Sequence, residues 1–279
     1  MPGEGFGRDE HDNFEALINK DGLAVIEMRC LRNDIGYWPE LDGRFYGGGG
    51  GRHLFKKVVD GRWEPWNPQL RIVAPRIQNP IALYARRLGF GPNVELLTYG
   101  PIGFDLIVSD WVEPHGKGKN PDFVLSHLPG KRAEDVNSPF DSVFTLTFTN
   151  RGDGILSKTA NPLKRLLELP RSAPEDGYEP KLERSISWAG NNTPIHLGTR
   201  DDQNYFFRVR TVLDQQGNVV SALYGKIYGD INFFAPPSSH GMVRFTYYLN
   251  PTPLDRNLEF DPKRNLLSDR LPGTNVSEP

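Results

Sequence analysis

Apolar and polar residues alternate with a period of two along much of the chain after residue 100. In SVFTLTFTN the apolar positions are Phe144, Leu146 and Phe148, and in GMVRFTYYLNP they are Val243, Phe245, Tyr247 and Leu249. Successive side chains of a β-strand point to opposite faces of the sheet. The pattern therefore predicts strands that bury one face and leave the other polar.

The longest alternating stretch, YFFRVRTVLDQQGNVVSALYGKIYGDINFF at 205–234, predicts a β-hairpin with its loop at 214–218. In that register the following pairs face each other: Leu213 and Val219, Val209 and Leu223, Phe207 and Gly225. The same face continues with Ile227, Ile231 and Phe233. Because a hairpin loop fixes the register, we expect this apolar face to lie in the core.

The opposite face of the hairpin carries aromatic and hydrogen-bonding side chains, namely Arg208, Arg210, Tyr224, Tyr228, Asp230 and Asn232. Tyr224 and Tyr228 would stand about 13 Å apart at the usual strand rise, roughly two or three sugar units. Aromatic rings stack on the C–H face of a pyranose, and planar polar groups bind its hydroxyls. We expect these six residues to bind a carbohydrate, in which case replacing both tyrosines by Ala abolishes glycan binding without loss of stability. Ordinary cross-strand pairing, or burial of this face by a second layer of loops, is the alternative.

Several shorter elements are predicted before and between these strands. A capping box at Asp12 and Glu15 predicts a short helix that ends near Gly22. The remaining predictions are a buried strand at 22–30, a hairpin around the Asp60-Gly61 turn, a helix from Asn79 to Gly89 and a helix at 161–170.

Strands that recur between Gly, Pro, Asn and Asp, with few helices to connect parallel pairs, predict a mainly β protein. We expect an antiparallel β-sandwich, jelly-roll or Ig-like, with two or three short helices. One β-rich domain is expected at 12–265, with a candidate sub-boundary at 89–93, between a disordered tail at 1–11 and a flexible tail at 266–279. Segment 247–267 is expected to cover a sheet edge, where Leu258 and Phe260 would pin it.

Composition narrows the classes of partner. The 279 residues hold 33 Lys and Arg against 35 Asp and Glu, a formal net charge of -2, which disfavours nucleic-acid binding. Cys30 is the single cysteine, so no intramolecular disulfide forms. The chain has no signal-peptide pattern and no run of 18 apolar residues, so we expect a soluble protein without a membrane span. An extracellular location remains open if a signal has been removed, and so does the oligomeric state.

Potential ligands are densest in DWVEPHGKGKNPD, which contains Asp110, Glu113, His115 and Asp122. These side chains could hold a divalent cation, with calcium as the candidate, or share acid and base roles. Their spacing matches no zinc or EF-hand template, and a solvated turn is the alternative. The five glycines at 47–51 precede a predicted strand rather than the helix that a phosphate loop requires.

No catalytic or cofactor motif identifies a reaction, and whether the protein is an enzyme stays open. The hypothesis that we carry forward is a non-catalytic carbohydrate-binding or cell-surface-associated protein. One alternative is a carbohydrate-active hydrolase or lyase with acid and base residues around 110–115. Another is a structural or self-assembly protein whose sheet face is the interface between copies.

Overall fold

The computed structural model describes residues 14–27, 33–38, 50–72, 76–89, 100–128, 139–159, 171–189, 193–196, 200, 202–234, 242–267 and 274–276. The chain divides into two compact units. The smaller unit comprises Met1–Pro39 with Gly50–Ile72, and the larger unit comprises Glu40–Gly49 with Val73–Pro279.

The described part of the smaller unit contains two small antiparallel pairs. Strand β1 (Asp34–Tyr37) pairs with β2 (Gly51–Leu54), and β3 (Lys57–Val59) pairs with β4 (Arg62–Glu64). Between β3 and β4, Asp60 and Gly61 have φ angles of 48° and 74°. Two successive positive φ angles are typical of a tight hairpin turn that matches the strand twist. The hairpin predicted around this turn is confirmed.

Residues 14–27 contain neither helix nor strand and are exposed throughout. The predicted helix ending near Gly22 and the predicted buried strand at 22–30 are therefore wrong over their described parts. Residues 28–30, including Cys30, lie outside the described residues. The Asn19 side chain accepts hydrogen bonds from the backbone N–H groups of Asp21 and Leu23, both at 2.9 Å. Such local side-chain bonds favour a turn over a helix.

The larger unit consists mainly of two antiparallel sheets. The strands are β5 (Tyr84–Leu88), β6 (Ile102–Asp105), β7 (Asp110–Trp111), β8 (Phe123–Leu128), β9 (Phe140–Thr147), β10 (Gly154–Thr159), β11 (Lys181–Ala189), β12 (Thr193–His196), β13 (Gln203–Leu213), β14 (Val219–Phe234) and β15 (Met242–Leu249). One sheet has the order β10-β13-β14-β15-β5 and the other the order β12-β11-β9-β8-β6-β7.

The two sheets pack face to face over one apolar core. Phe123 of β8 and Phe207 of β13 meet with ring centroids 5.0 Å apart, and both side chains are fully buried. The alternation predicted in β9 and β15 holds, because Phe144, Leu146 and the apolar residues of GMVRFTYYLNP lie in this core. The predicted mainly β sandwich is confirmed.

Helix is almost absent from the described part of the chain, where the single helical element is a 3-10 turn at Pro262–Arg264. The helix predicted from Asn79 to Gly89 is wrong, because Tyr84–Leu88 forms the edge strand β5 beside β15. LYARRL suits either structure by propensity, and pairing with β15 decides in favour of a strand. The helix predicted at 161–170 lies outside the described residues. No helix in the described ranges is long and apolar enough to cross a bilayer.

The hairpin of β13 and β14 has the predicted register. Leu213 faces Val219, Val209 faces Leu223, and Phe207 faces Gly225. The register shifts locally between Val209 and Val212, and again where β14 meets β15, between Tyr228 and Asn232. Such irregularities are β-bulges, which turn side chains away from the face that simple alternation gives them.

A second layer covers the side of the five-stranded sheet that faces away from the core. Leu258 and Phe260 are buried there, which confirms that these two residues pin the segment. The segment also covers the free edge of the sheet, as predicted, because the Asn265 side chain bonds to the backbone N–H and carbonyl of Ala85 at 3.1 and 2.8 Å and the Leu266 N–H donates to the Leu83 carbonyl at 3.0 Å. Val276, near the chain end, also lies buried in this layer, beside Leu83 and Tyr248.

Candidate functional site

The sequence predicts a flat binding surface on the outer face of the β13–β14 hairpin. We define this outer face by Phe206, Arg208, Tyr224, Lys226 and Tyr228. Tyr224 is only 5% exposed and packs in an apolar cluster that includes Ala173 and Leu258. The expectation that its ring lies open to solvent is wrong. The cause is the covering layer, which the alternation of one hairpin cannot reveal.

The remaining aromatic and cationic groups of the outer face are also covered to different degrees. Tyr228 is half-buried beside the cluster of Tyr248 and Phe260. Lys226 is buried, with its Nζ 4.6 Å from the centroid of the Tyr248 ring. Burial lowers the pKa of Lys226 to about 8, although the negative charge of Glu259 acts in the other direction. Asn232, at the far end of β14, is exposed.

The bulge in β13 removes Arg210 from the outer face. Its φ of 54° lies in the left-handed region, and Asp153 accepts the backbone N–H groups of Arg210 and Thr211 at 3.1 and 2.8 Å. The guanidinium reaches the opposite sheet, where it donates to both oxygens of Asp122 at 2.8 and 2.9 Å and to Asp105 at 3.0 Å. Arg210 therefore ties the two sheets together, which corrects its predicted place in a binding platform.

The two carboxylates around Arg210 respond differently to burial. Burial raises the pKa of Asp122 above its ordinary value, although the Arg210 guanidinium opposes this effect. Burial also pushes the pKa of Asp105 upward, but the backbone N–H groups of Lys119, Asn120 and Val108, with the charge of Arg210, bring it below its ordinary value. Asp105, Asp122 and Arg210 thus form a buried ion cluster, in which N–H groups of the protein itself bind the carboxylate oxygens.

The second bulge removes Asp230 from the outer face in the same way. It contains Gly229, whose φ is 80°. Asp230 accepts hydrogen bonds from the Tyr205 hydroxyl at 2.6 Å, from the backbone N–H of Arg200 at 2.8 Å, and from the Arg184 guanidinium of the other sheet. Asp230 is 8% exposed, so its carboxylate is committed to the fold. A glycine inside a strand pattern is a known sign of a bulge, and Gly229 carried that signal in the sequence.

Of the six predicted ligand-binding residues, the structure brings Arg208 and Tyr224 together at the wall of one cleft. This cleft has a volume of about 480 Å³. Its lining residues are Arg151, Gly152, Glu175, Asp176, Arg208, Leu213, Gly217, Asn218, Val219 and Tyr224. Arg151, Glu175 and Asp176 come from two loops far apart in the sequence, so no local motif could have predicted them.

Arg208 is held in place from three sides. Its Nε donates to the Gly152 carbonyl at 2.8 Å and its Nη1 to the Glu175 carbonyl at 3.2 Å. The guanidinium lies 4.9 Å from the centroid of the Tyr178 ring. Burial, followed by the nearby Tyr224, raises the pKa of Tyr178, so this phenol remains neutral at physiological pH. Three contacts within the protein thus hold the Arg208 guanidinium at the cleft wall.

The rim of the cleft carries both signs of charge. Arg151 and Asp176 are exposed, and Glu175 pairs with Arg256 at 2.8 Å. Side chains that donate and side chains that accept hydrogen bonds therefore lie around the Arg208 wall of the cleft. This combination suits a neutral ligand rich in hydroxyl groups.

The loop predicted as a metal or acid-base site forms a turn that bonds to itself. Asp110 accepts hydrogen bonds from the backbone N–H groups of Trp111 at 2.8 Å and Lys117 at 3.0 Å, while Glu113 and His115 are exposed. Within the described ranges no group of three or more His, Cys, Asp or Glu side chains is placed to hold a metal ion. The structure thus does not bring Asp110, Glu113 and His115 together as a cation site. A catalytic role for them stays a prediction.

Comparisons with protein-family models, with curated proteins and with solved structures found no match. A function is accordingly inferred from the geometry of the cleft and of the surfaces around it.

Proposed function

We propose that the protein is a non-catalytic carbohydrate-binding protein and that the cleft between Arg208, Tyr224 and the loops at 151–152 and 175–176 holds the glycan. The observation that carries the proposal is an Arg208 guanidinium, held by two backbone carbonyls and the Tyr178 ring, at the wall of a concave site whose rim carries both charges. Sugar hydroxyls donate and accept hydrogen bonds, so a rim of mixed sign binds them better than a rim of one sign.

The size of the cleft agrees with a short glycan segment. Its volume of about 480 Å³ falls inside the range of small-molecule sites in proteins. The formal net charge of -2 gives no general attraction for a polyanion. A neutral or zwitterionic saccharide therefore fits the cleft better than a nucleotide or a sulfated polymer does.

Rigidity supports the same assignment. Two backbone carbonyls and the Tyr178 ring fix the Arg208 side chain, and burial fixes Tyr224. A site whose side chains are already ordered loses little conformational entropy when a ligand binds. Weakly binding ligands such as sugars depend on this saving.

A glycan-array screen with and without calcium, followed by titration of any hit, tests the proposal. We expect the double variant Arg151→Ala/Asp176→Ala to weaken binding by about tenfold or more, because each loses hydrogen bonds worth about 1 kcal/mol or more. The matched control is Lys181→Ala/Glu183→Ala, which removes an exposed pair on β11. Equal binding by both double variants, or a blank array, would reject the proposal. Binding that depends on calcium would support the prediction that Asp110, Glu113 and His115 hold a cation.

Self-association is the second candidate function, and the exposed N-terminal segment favours it. Leu17, Leu23 and Val25 are 96%, 60% and 75% exposed, although their sequence pattern is that of a buried element. A second copy of the chain that covers this segment would bury these apolar groups. Sedimentation at rising concentration, compared with a Leu17→Asp/Val25→Asp variant, separates this function from glycan binding, since only self-association predicts a change of mass.

A further inference from the structure

The solvent face of the β1–β2 pair, formed by Asp34, Gly36 and Trp38 on one side and Gly50, Arg52 and Leu54 on the other, has an unusual composition. Gly36 lies opposite Arg52 in the register, and Asp34 lies opposite Leu54. The same register places Trp38 beside Gly50. Trp38 is 79% exposed, more than any other tryptophan of the described residues. We call this surface the Trp38 face.

The indole of Trp38 lies flat on two glycines. A Cβ built on Gly36 would lie 2.5 Å from the indole Cη2 and 2.8 Å from Cζ3, and a Cβ built on Gly50 would lie 2.5 Å from Nε1. Real Cβ atoms essentially never approach so closely, so the ring occupies space that only glycine leaves open. The ring is therefore held against the backbone on one side and presents its other side to solvent.

A polar pair adjoins the ring on the same face. Arg52 Nε donates to Asp34 at 2.6 Å, and the Arg52 side chain is largely exposed. Arg52 lies directly opposite Gly36 in the register, and the six-membered end of the indole lies over Gly36, so the Arg52 side chain begins beside the ring. A flat aromatic surface and a planar donor group with its acceptor thus lie next to each other.

From this arrangement we propose that the Trp38 face is a second carbohydrate site, in which one pyranose ring stacks on the indole and its hydroxyls bind Arg52 and Asp34. The ligand class is a glycan whose sugar units have a flat C–H face, such as β-1,4-linked glucose. The site lies wholly in the smaller unit, and it does not depend on the cleft or on the function proposed for it.

Two features favour a sugar over a protein partner at this face. Protein interfaces are enriched in Trp and Arg but depleted of Asp, and here the Asp34 carboxylate pairs with Arg52 beside the indole. The ring is also already immobilised, so stacking costs little entropy, and C–H groups match its negative π face. An aromatic side chain that only shields glycines would serve the sheet and bind nothing, and the experiment below includes that outcome.

Calorimetric titration of the full chain with cellohexaose tests the proposal. We expect saturable binding that weakens about tenfold in Trp38→Ala and several-fold in Arg52→Ala. The matched control is Trp66→Ala, because Trp66 is also exposed in the smaller unit and its ring lies 5.4 Å from the Arg62 guanidinium. This control should bind within about twofold of the unaltered chain.

Separate outcomes distinguish the Trp38 face from the cleft. Arg151→Ala/Asp176→Ala should leave cellohexaose binding at Trp38 intact, and Trp38→Ala should leave the cleft ligand bound. Equal weakening in Trp38→Ala and Trp66→Ala, or no binding by the unaltered chain, overturns the proposal. Trp38→Phe keeps a flat ring over the glycines. Loss in Trp38→Ala with recovery in Trp38→Phe supports stacking, and a folded Trp38→Ala that binds normally shows that the ring only shields the backbone.

Discussion

The outer face of the β13–β14 hairpin and the Trp38 face arise from the same kind of alternating pattern but end in opposite environments. Tyr224 on the first is 5% exposed, and Trp38 on the second is 79% exposed. Segments 171–179 and 250–260 supply residues that cover the first, including Ala173 and Leu258. The indole of the second is covered on one side by the backbone of Gly36 and Gly50.

The difference shows what alternation in one hairpin determines. Period-two patterning fixes which side chains share a face, because the pleat fixes it. Whether that face meets solvent depends on chain segments that lie far away in the sequence. Aromatic residues on a predicted polar face are therefore as consistent with a second apolar layer as with a binding surface.

The largest expected effect concerns the bulge that turns Asp230 from the outer face into the sandwich. Asp230→Ala removes the acceptor of the Tyr205 hydroxyl and of the Arg184 guanidinium, and breaking a buried ion pair costs about 3–5 kcal/mol. Urea denaturation should show this loss in the free energy of unfolding. The control is Asp202→Ala, which removes a half-buried partner of the exposed Arg200 side chain and should cost far less. Similar losses in both variants would mean that Asp230 lies on a solvated face.

Bulges also mark the limit of what the sequence reveals about the fold. The pairing of the two hairpin strands, from Phe207 with Gly225 to Leu213 with Val219, was predictable. The loop length and the position of the apolar face both indicate this register. Arg210 departs from it because Asp153, from another loop, accepts two backbone N–H groups at the bulge. Nothing near Arg210 in the sequence signals that contact. The edge strand at Tyr84 was missed for a related reason, since its partner β15 lies far along the chain.

The second prediction compares the two faces directly through their aromatic residues. Tyr224→Ala should lower the free energy of unfolding by about 3 kcal/mol, because it opens a cavity under the covering layer. Trp38→Ala should cost about 1 kcal/mol or less, because only one side of its ring packs, on the backbone of Gly36 and Gly50. Both values come from the same urea titration. Equal losses would remove the distinction between a covered face and an open one.

The third prediction uses the pH dependence of stability to test whether water is excluded from the covered face. The Lys226 pKa is lowered from 10.5 to about 8 by burial, so the unfolded chain holds this proton at pH values where the folded chain has released it. Stability should therefore rise with pH between about 8 and 10.5. The expected gain is about 1–2 kcal/mol between pH 8 and 9.5.

The matched control for that rise is Lys226→Met, which keeps the length of the side chain and removes the titrating amine. Subtracting its stability curve from that of the unaltered chain removes the contribution of tyrosines, which titrate in the same range. A flat difference curve would mean that the Lys226 amine is hydrated and that water penetrates the layer.

The candidate site was predictable only in part. The sequence placed Arg208 opposite Tyr224, and the structure has that pair at the cleft wall. Glu175 and Asp176 line the same cleft, but they lie on a loop whose sequence contains no pattern that indicates a binding site. A cleft is a property of several loops at once, so the residues that a single hairpin suggests are an incomplete set.

The last prediction concerns Gly229, the residue that makes the second bulge. A Cβ built there would meet nothing within 4 Å, but its φ of 80° is one that side chains other than glycine rarely adopt. Gly229→Ala should therefore cost about 1–2 kcal/mol from backbone conformation alone. Gly61→Ala, at a φ of 74° and with equally open space, provides the matched value in the smaller unit. If Gly229→Ala costs as much as Asp230→Ala, then the bulge conformation, rather than the carboxylate it aims inward, holds this end of the sandwich together.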